Sequence, residues 1–352
     1  MAITEILPGI HYVGVNDRTT TRFEALWSLP MGVSYNAYLV AGEKIALIDT
    51  VEESFGSRLE ANIREAIGER EIDYLVVNHM EPDHSSSIAA LRRIYPDIEI
   101  VGNAKTLQMI EGFYGIAGGT VEVKEGDTLD LGGKTLSFHM IPMVHWPETM
   151  VTWCAGEKTL FSGDAFGTFG ALDGNLFADE INFVSEKLPE ARRYYANIVG
   201  KYGAPVQALL KKAAALPVKT VCPLHGPVWR ENIAWFVDKY DKWSSYTPEE
   251  NAVTIFYGSV YGHTQEAAEI LASCLADLEV KNIKVYDVSA QHSSYLVAEA
   301  FRCSHLVFAS STYNAGIFEN MDILIDDLIK HALQNRKVAL IENGSWASTA
   351  GM

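Results

Sequence analysis

Short apolar runs separated by polar segments characterise the chain as far as residue 250. These runs predict strands at residues 10–15, 35–41, 44–49, 74–78, 99–102, 135–140, 151–155 and 220–223. Apolar residues at helical spacing predict helices at residues 57–67, 85–95 and 190–199, with further helical patterning at residues 205–215 and 232–242. This mixture of short strands and helices predicts an α/β fold.

A regular alternation of strand and helix patterns follows. Strands are predicted at residues 253–259, 283–288, 305–310 and 337–342, and helices at residues 264–276, 293–300 and 321–334. Such alternation predicts a doubly wound parallel sheet. A polar segment that contains Pro248 separates the two patterns, and 352 residues exceed one ordinary core. We therefore predict two domains, residues 1–250 and residues 251–352.

The composition restricts the classes of function. A net charge of −17 argues against nucleic-acid binding, because a polyanion requires a basic surface. No stretch approaches the ~20 apolar residues of a membrane span. The N-terminus lacks the basic and apolar regions of a secretory signal, so we expect a cytoplasmic protein. The four cysteines form no CxxC pair, and we therefore expect the electrons for any redox reaction to come from a separate donor.

A cluster of metal-competent side chains follows the apolar run at residues 74–77. His79, Glu81, Asp83 and His84 lie within six residues of one another. Two imidazoles and two carboxylates at the end of a buried strand would leave uncompensated charge unless a cation lay among them. A solvated polar turn is the alternative. Three further candidates follow later apolar runs, namely His145, Asp164 and His225. Together these residues suffice for two metal ions that share Asp164.

The pattern H-x-E-x-D-H, followed by the separate H, D and H, resembles the metallo-β-lactamase superfamily, whose usual hydrolase signature is H-x-H-x-D-H. Glu81 replaces one imidazole by a carboxylate, which suits iron better than a nitrogen-rich zinc pair. With Glu81 the sequence resembles a flavodiiron protein, in which a metallo-β-lactamase-like αββα sandwich precedes a flavodoxin-like FMN domain. The resemblance implies that His79, Glu81 and His145 hold one iron, that Asp83, His84 and His225 hold the second, and that Asp164 bridges them.

The second domain carries a candidate phosphate loop at residues 259–264. Its S-x-x-G-x-T form resembles the FMN-phosphate loop of flavodoxins, where backbone N–H groups and hydroxyls hold the phosphate. Polar loops also follow the next two strands, and the strand ends of such a sheet share one crevice. Tyr313 and Trp346 are the candidates for covering the flavin ring. The predicted FMN contacts are Ser259, Val260, Tyr261, Gly262, His263, Thr264, Ser311, Thr312, Tyr313, Asn314, Gly316, Asn343, Gly344, Ser345 and Trp346.

The predicted sheet of the second domain has four strands, whereas a complete flavodoxin-like domain has five. A fourth crossover helix and a fifth strand would follow residue 342, but the sequence shows neither. We therefore expect an FMN domain that is incomplete at its C-terminus. Either the chain is a fragment, or an edge strand comes from elsewhere.

The resemblance implies reduction of O₂ to water, of NO to N₂O, or of both, with electrons relayed through FMN. It also implies rubredoxin or another electron donor, and a head-to-tail homodimer or dimer of dimers. Many members carry His-Gly shortly before the stretch at residues 32–39, where this chain has residues 23–27 without histidine. The preference between O₂ and NO stays open, and Glu24 and Tyr195 are candidate proton donors in place of that histidine.

Two other functions remain as alternatives. A zinc hydrolase of the lactamase superfamily would use a metal-bound hydroxide and would need no flavin. Glu81 and the three loops argue against it. A non-catalytic electron carrier or redox sensor would use the same residues but consume no oxidant.

Overall fold

Two packed sheets form the frame of the first of two units in this computed structural model, which describes residues 3–351. The first unit comprises Met1–Ala191 and Ala204–Val237. Its strands, in chain order, are β1 (Thr4–Leu7), β2 (Ile10–Tyr12), β3 (Val15–Asp17), β4 (Arg22–Phe23), β5 (Trp27–Ser28), β6 (Val33–Tyr35), β7 (Tyr38–Ala41), β8 (Ile45–Ile48), β9 (Tyr74–Val76), β10 (Glu99–Gly102), β11 (Thr120–Glu122), β12 (Thr128–Asp130), β13 (Thr135–Met140), β14 (Met150–Cys154), β15 (Thr159–Phe161) and β16 (Thr220–Cys222).

One sheet has the strand order β1-β2-β7-β8-β9-β10-β11, and the other has the order β12-β13-β14-β15-β16. Small ladders join β3 to β6 and β4 to β5. The core lies between the two large sheets, where Tyr38, Val40 and Ile48 of one sheet share a buried cluster with Phe138 and Met150 of the other. The predicted lactamase-like sandwich is therefore confirmed.

Helices of eleven or twelve residues and several shorter ones accompany these sheets. They are α1 (Gly56–Ile67), α2 (Pro82–Ser85), α3 (Ile88–Ile94), α4 (Ala104–Tyr114), α5 (Phe183–Glu186), α6 (Leu188–Tyr194), α7 (Gly203–Ala213) and α8 (Ile233–Ser244). Short 3₁₀ segments lie at Glu53–Phe55, Ala178–Glu180 and Gly200–Tyr202, and a π-helical turn lies at Tyr195–Val199.

The helix predicted at residues 85–95 corresponds to α3, which is shorter at both ends, and the sequence pattern missed the separate helix α2 that precedes it. Pro82 begins α2, as expected of a residue whose fixed φ suits the first helical turn. The sequence pattern also missed α4. Its N-cap, Asn103, accepts hydrogen bonds from the backbone N–H groups of Lys105 and Thr106, and Gly115 ends the helix in the left-handed conformation.

Four parallel strands form the sheet of the second unit, which comprises Arg192–Gly203 and Asp238–Met352. The strands are β17 (Glu250–Gly258), β18 (Ile283–Asp287), β19 (Cys303–Ser311) and β20 (Lys337–Asn343), and the helices are α9 (His263–Asp277), α10 (Ser293–Arg302) and α11 (Glu319–Lys330). The strand order is β18-β17-β19-β20. Val253, Ile255, Ala268 and Val307 form its buried core, and the predicted doubly wound sheet is confirmed.

The domain boundary predicted at residues 250–251 stays a prediction. The division into units assigns residues 192–203 and 238–250 to the second unit, so the chain passes between the units more than once. None of the helices formed by residues 3–351 combines the length and the apolar character that a membrane span requires.

Candidate functional site

The seven predicted metal ligands lie at the ends of strands in the first unit. β9 is buried and pairs in parallel with β8 and β10, so the chain emerges at the edge of the sheet just before His79. Glu81 directly precedes α2, which contains Asp83 and His84, and the other ligands lie in the segments after β13, β15 and β16. The structure brings all seven together in two groups. The first group is His79, Glu81, His145 and Asp164, and the second group is Asp83, His84 and His225.

Both histidines of the first group face the same two carboxylate oxygens, one from Glu81 and one from Asp164. The Nε2 atom of His79 lies 3.2 Å from Glu81 Oε2 and 3.3 Å from Asp164 Oδ2. The Nε2 atom of His145 lies 3.0 Å and 3.2 Å from the same two oxygens. Four ligand atoms thus surround one position.

The second group is arranged around the other side of Asp164. Asp83 Oδ2 lies 3.2 Å from His84 Nε2 and 3.3 Å from His225 Nε2. Asp164 Oδ1 lies 3.3 Å from His84 Nε2 and 3.7 Å from His225 Nε2. The two oxygens of Asp164 therefore face different groups, which is the arrangement of a bridging carboxylate.

The charge balance of the two groups fits a cation. Asp164 is fully buried, and neither its oxygens nor those of Asp83 have a hydrogen-bond partner among residues 3–351. Burial would raise the pKa of the Asp164 carboxyl, but the charge of His79 holds that pKa well below its usual range. A buried carboxylate without hydrogen-bond donors is costly unless a cation lies beside it. The donor set of imidazoles and carboxylates suits two metal ions.

Two acidic residues that the sequence reading missed hold His79 in place. Glu148 Oε1 lies 2.9 Å from His79 Nδ1 and accepts a hydrogen bond from the Met80 backbone N–H at 2.9 Å. Burial alone would raise the pKa of Glu148, but its hydrogen bond with His79 lowers that pKa. Asp49 Oδ1 accepts hydrogen bonds from the backbone N–H groups of Asn78 and His79. Asp49 follows the apolar run of β8, which was the available signal, whereas Glu148 lies in a loop with no motif.

The hairpin of β4 and β5 places Glu24 beside the first group. Glu24 and Ala25 both have left-handed φ values, 49° and 59°, and the turn is closed by a hydrogen bond from Leu26 N to Phe23 O. Trp27 Nε1 donates to Glu24 Oε2 at 3.1 Å. Glu24 is exposed at the surface, but desolvation beside the ligand group and the nearby charge of Glu81 raise its pKa to about 7.

The second candidate proton donor, Tyr195, lies in the second unit. Its ring centroid is 5.1 Å from that of Tyr240 and 5.3 Å from that of Trp243, and the side chain is fully buried. No ligand of the two groups is among the ring neighbours found for it in the described part of the chain.

A pocket of about 400 Å³ lies at the carboxyl ends of β17, β19 and β20. Its lining comprises twelve of the fifteen predicted FMN contacts and Ala347. The predicted residues Gly262, Asn314 and Gly316 belong to the same loops without lining it. The lining residues are Ser259, Val260, Tyr261, His263, Thr264, Ser311, Thr312, Tyr313, Asn343, Gly344, Ser345, Trp346 and Ala347.

Hydrogen bonds between hydroxyl and amide groups connect the three loops of this pocket. Thr264 Oγ1 lies 2.7 Å from Ser311 Oγ and accepts a hydrogen bond from Asn343 Nδ2 at 3.2 Å. Within the first loop, the Gly262 backbone N–H donates to Ser259 Oγ at 3.1 Å. Gly262 has a φ of 93°, which only glycine adopts readily, and α9 begins directly after it. The first loop thus ends in a glycine turn directly before the N-terminus of a helix, a position that favours anions.

Two aromatic side chains stand at the opening of the pocket with almost no contact to the protein. Tyr261 is 90% exposed and Trp346 is 92% exposed. Both residues also line the pocket. Both rings are therefore available to cover a flat aromatic ligand.

Comparison with known proteins adds the following findings. The family model for the ODP family beta lactamase matches residues 33–226. An anaerobic nitric oxide reductase flavorubredoxin from Vibrio vulnificus is 33% identical over 343 residues, which cover 96% of this chain and 69% of the relative.

Two solved structures match nearly the whole chain. The flavodiiron protein from Giardia intestinalis superimposes with a TM-score of 0.94 at 26% identity, over 99% of this chain and 85% of that chain. The rubredoxin oxygen:oxidoreductase from the anaerobe Desulfovibrio gigas superimposes with a TM-score of 0.92 at 31% identity, over 98% of this chain and 86% of that chain.

Proposed function

The chain belongs to the flavodiiron protein family and is an oxidoreductase, and from this we propose that its two ligand groups hold two iron ions and that its loop pocket holds FMN. His79, Glu81 and His145 would hold the first iron, Asp83, His84 and His225 would hold the second, and Asp164 would bridge them. The observation that carries this assignment is the orientation of Asp164, whose Oδ2 faces the first group and whose Oδ1 faces the second.

We propose reduction of O₂ to water, of NO to N₂O, or of both. Two ferrous ions and reduced FMN, when bound, supply the four electrons that O₂ needs for two waters, or the two that a pair of NO molecules needs for N₂O and water. One relative is named a nitric oxide reductase and one matching structure a rubredoxin oxygen:oxidoreductase. Both reactions therefore belong in the proposal.

Both reactions consume protons, and the chain has one carboxyl group suited to deliver them. Glu24 lies beside Glu81, and its pKa of about 7 leaves roughly half of the carboxyl groups protonated at neutral pH. The indole N–H of Trp27 fixes the orientation of the carboxyl. We propose that Glu24 donates protons to the reacting oxygen atoms. The role predicted for Tyr195 stays a prediction, since its neighbours are the aromatic rings of its own unit.

The second unit would bind FMN through the three loops. Backbone N–H groups at the start of α9 would hold the phosphate together with the hydroxyls of Ser259, Thr264 and Ser311. Trp346, one of the two candidates from the sequence, and the exposed Tyr261 would cover the flavin ring. Tyr313, the other candidate, lines the same pocket and stays a candidate for this role.

We further propose rubredoxin or another small carrier as the electron donor, and a head-to-tail homodimer or dimer of dimers. A cytoplasmic location agrees with the four free cysteines, because such thiols persist in reducing compartments. Sedimentation of the purified chain tests the dimer, and a monodisperse monomer with full turnover contradicts it.

Metal and flavin contents test the proposed cofactors most directly. We expect two irons and one FMN per chain, together with consumption of O₂ or NO by the reduced protein. Asp164→Asn should lose iron, because a bridging carboxylate oxygen is replaced by an amide. The exposed Asp97→Asn is the matched control and should keep the iron content. Zinc without flavin would instead indicate a hydrolase, and a flavin reduced without consumption of oxidant would indicate an electron carrier.

A further inference from the structure

The four histidines of the ligand groups differ in what holds their second ring nitrogen. His79 Nδ1 lies 2.9 Å from the carboxylate of Glu148. His225 Nδ1 lies 2.8 Å from the backbone carbonyl oxygen of Ser34, to which it donates if that nitrogen carries the proton. His84 Nδ1 is buried and has no hydrogen-bond partner within residues 3–351. The side chain of His145 is 7% exposed, and its Nε2 faces Glu81 and Asp164. Among residues 3–351, the contacts found for the second ring nitrogens of these histidines include a carboxylate only at His79.

Glu148 is itself held rigidly. Glu148 is only 1% exposed. Its Oε1 accepts a second hydrogen bond from the Met80 backbone N–H, and its backbone carbonyl oxygen accepts a hydrogen bond from Asn103 Nδ2 at 2.5 Å. The carboxylate therefore cannot turn away without breaking several contacts. It fixes both the ring orientation and the position of the proton on His79.

The charge near the two groups is also unequal. Asp164 is shared, and each group has one further carboxylate ligand, Glu81 in the first and Asp83 in the second. Glu148 adds a carboxylate that contacts a ligand imidazole directly in the first group, whereas the carboxylate of Asp49 contacts Asn78 and the backbone N–H of His79. A carboxylate that accepts a hydrogen bond from the N–H of a metal-bound imidazole makes that imidazole a stronger ligand. A carbonyl oxygen in the same place strengthens the imidazole less, and an imidazole without such a partner is not strengthened.

We propose that Glu148 is a positioning residue that makes the first group the tighter of the two metal sites, so that two metal ions load in a fixed order. The group of His79, Glu81, His145 and Asp164 fills first, and the group of Asp83, His84 and His225 fills second. The metal ions are lost in the reverse order. This inference rests on the proposed function, because it assumes that both groups bind metal.

Titration of the metal-free protein with Co²⁺ under anaerobic conditions tests the proposal through the visible absorption of the bound ion. Two resolved steps are expected, and His84→Ala should remove the second step while it keeps the first. Glu148→Gln should weaken the first step by about 10- to 100-fold, as loss of an outer hydrogen-bond partner does. Glu148→Asp keeps the charge and should restore part of the affinity. The exposed Glu111→Gln is the matched control and should leave both steps unchanged.

Retention of FMN in the second unit serves as a fold control for each variant. An unchanged first step in Glu148→Gln, or an equal loss in both steps, overturns the role of Glu148. Loading of both ions in one step overturns the order, while the metal assignment stands. No Co²⁺ binding by the wild-type protein overturns the metal assignment and the inference together.

Discussion

His84 and His225 place their Nε2 atoms 3.0 Å apart in a fully buried pair. Two imidazole nitrogens that each lie about 2.1 Å from one ion, at roughly a right angle, have this separation. Asp83 Oδ2 lies within 3.3 Å of both nitrogens, so three ligand atoms face one point. Because three side chains from two separate segments converge there, the protein can hold a cation without rearranging its backbone.

Metal affinity should rise with pH. Burial would lower the pKa of His145, but the carboxylates of Asp164 and Glu81 beside its Nε2 raise it to about 9 in the metal-free protein. His145 is therefore protonated at pH 7, and metal binding must displace that proton. Between pH 7 and 8 we expect the apparent affinity for Co²⁺ to rise about tenfold for each displaced proton. Calorimetry in buffers of different ionisation enthalpy counts the protons, and an affinity independent of pH contradicts the prediction.

Glu24 should control the pH dependence of turnover. Only its protonated form can donate, so wild-type turnover should fall as pH rises through about 7. Glu24→Gln should lower turnover at pH 6 by at least about tenfold and remove this inflection. Trp27→Phe removes a hydrogen bond that favours the charged carboxylate, so the inflection should move to higher pH. The exposed Glu186→Gln is the control. If turnover depends on pH in the same way in the wild type and in Glu24→Gln, Glu24 is not the proton donor.

Ser311 should contribute to FMN binding because it connects two loops of the pocket through Thr264. In Ser311→Ala the Thr264 hydroxyl loses this partner, and one hydroxyl toward the phosphate is lost as well. We expect about a tenfold weaker affinity for FMN, which corresponds to about 1–1.5 kcal/mol. Fluorescence quenching during FMN titration measures it. Ser273→Ala on the exposed side of α9 should leave the affinity unchanged, and equal effects of the two substitutions count against the assigned pocket.

The parts of the fold that the sequence revealed are those with regular periodicity. β13 matches its prediction at both ends, and the strands and helices of the second unit follow the predicted order. The two- and three-residue strands β3 to β6 were missed, because so few residues show no alternation. α4 was missed as well, and it depends on local capping by Asn103 and Gly115 more than on a strong apolar face.

The candidate ligands were visible because each follows a strand or belongs to one compact motif. Glu148 and Asp49 were not visible, since they contact His79 from 69 and 30 residues away in the chain. Their proximity results from the packing of loops, for which a single sequence has no pattern. For Tyr195, the sequence showed a side chain that can donate a proton but not its surroundings. Only the structure places it in an aromatic cluster.

The cysteines should differ strongly in reactivity. Burial raises the pKa of Cys154 to about 12 and that of Cys303 to about 11, and it raises the pKa of Cys222 well above its usual value. Cys274 is exposed. Since the thiolate is the reactive form, iodoacetamide at pH 8 should modify Cys274 alone in the folded protein and all four cysteines after denaturation. Mass spectrometry counts the adducts, and Cys274→Ser should take up none while folded.

A buried ion pair in the second unit should make its stability depend on acid. The Glu249 side chain is 2% exposed, and its carboxylate accepts hydrogen bonds from Arg192 and from Trp243 Nε1. Burial alone would raise the pKa of Glu249, but the Arg192 guanidinium lowers it below its usual value of 4.5. Because the pKa is lower in the folded state than in the unfolded state, the pair stabilises the fold above pH 4.5. That contribution is lost as pH falls through the folded-state pKa.

Glu249→Gln should therefore lower the free energy of unfolding by about 2–3 kcal/mol at pH 7, since it leaves the Arg192 charge buried without its counter-charge. The difference between wild type and variant should shrink as pH falls below 4.5, because the wild-type carboxyl then becomes neutral too. Urea unfolding at a series of pH values measures both effects, with the exposed Glu279→Gln as the control. A difference that stays constant down to pH 3 would mean that the substitution acts through packing and not through the charge of Glu249.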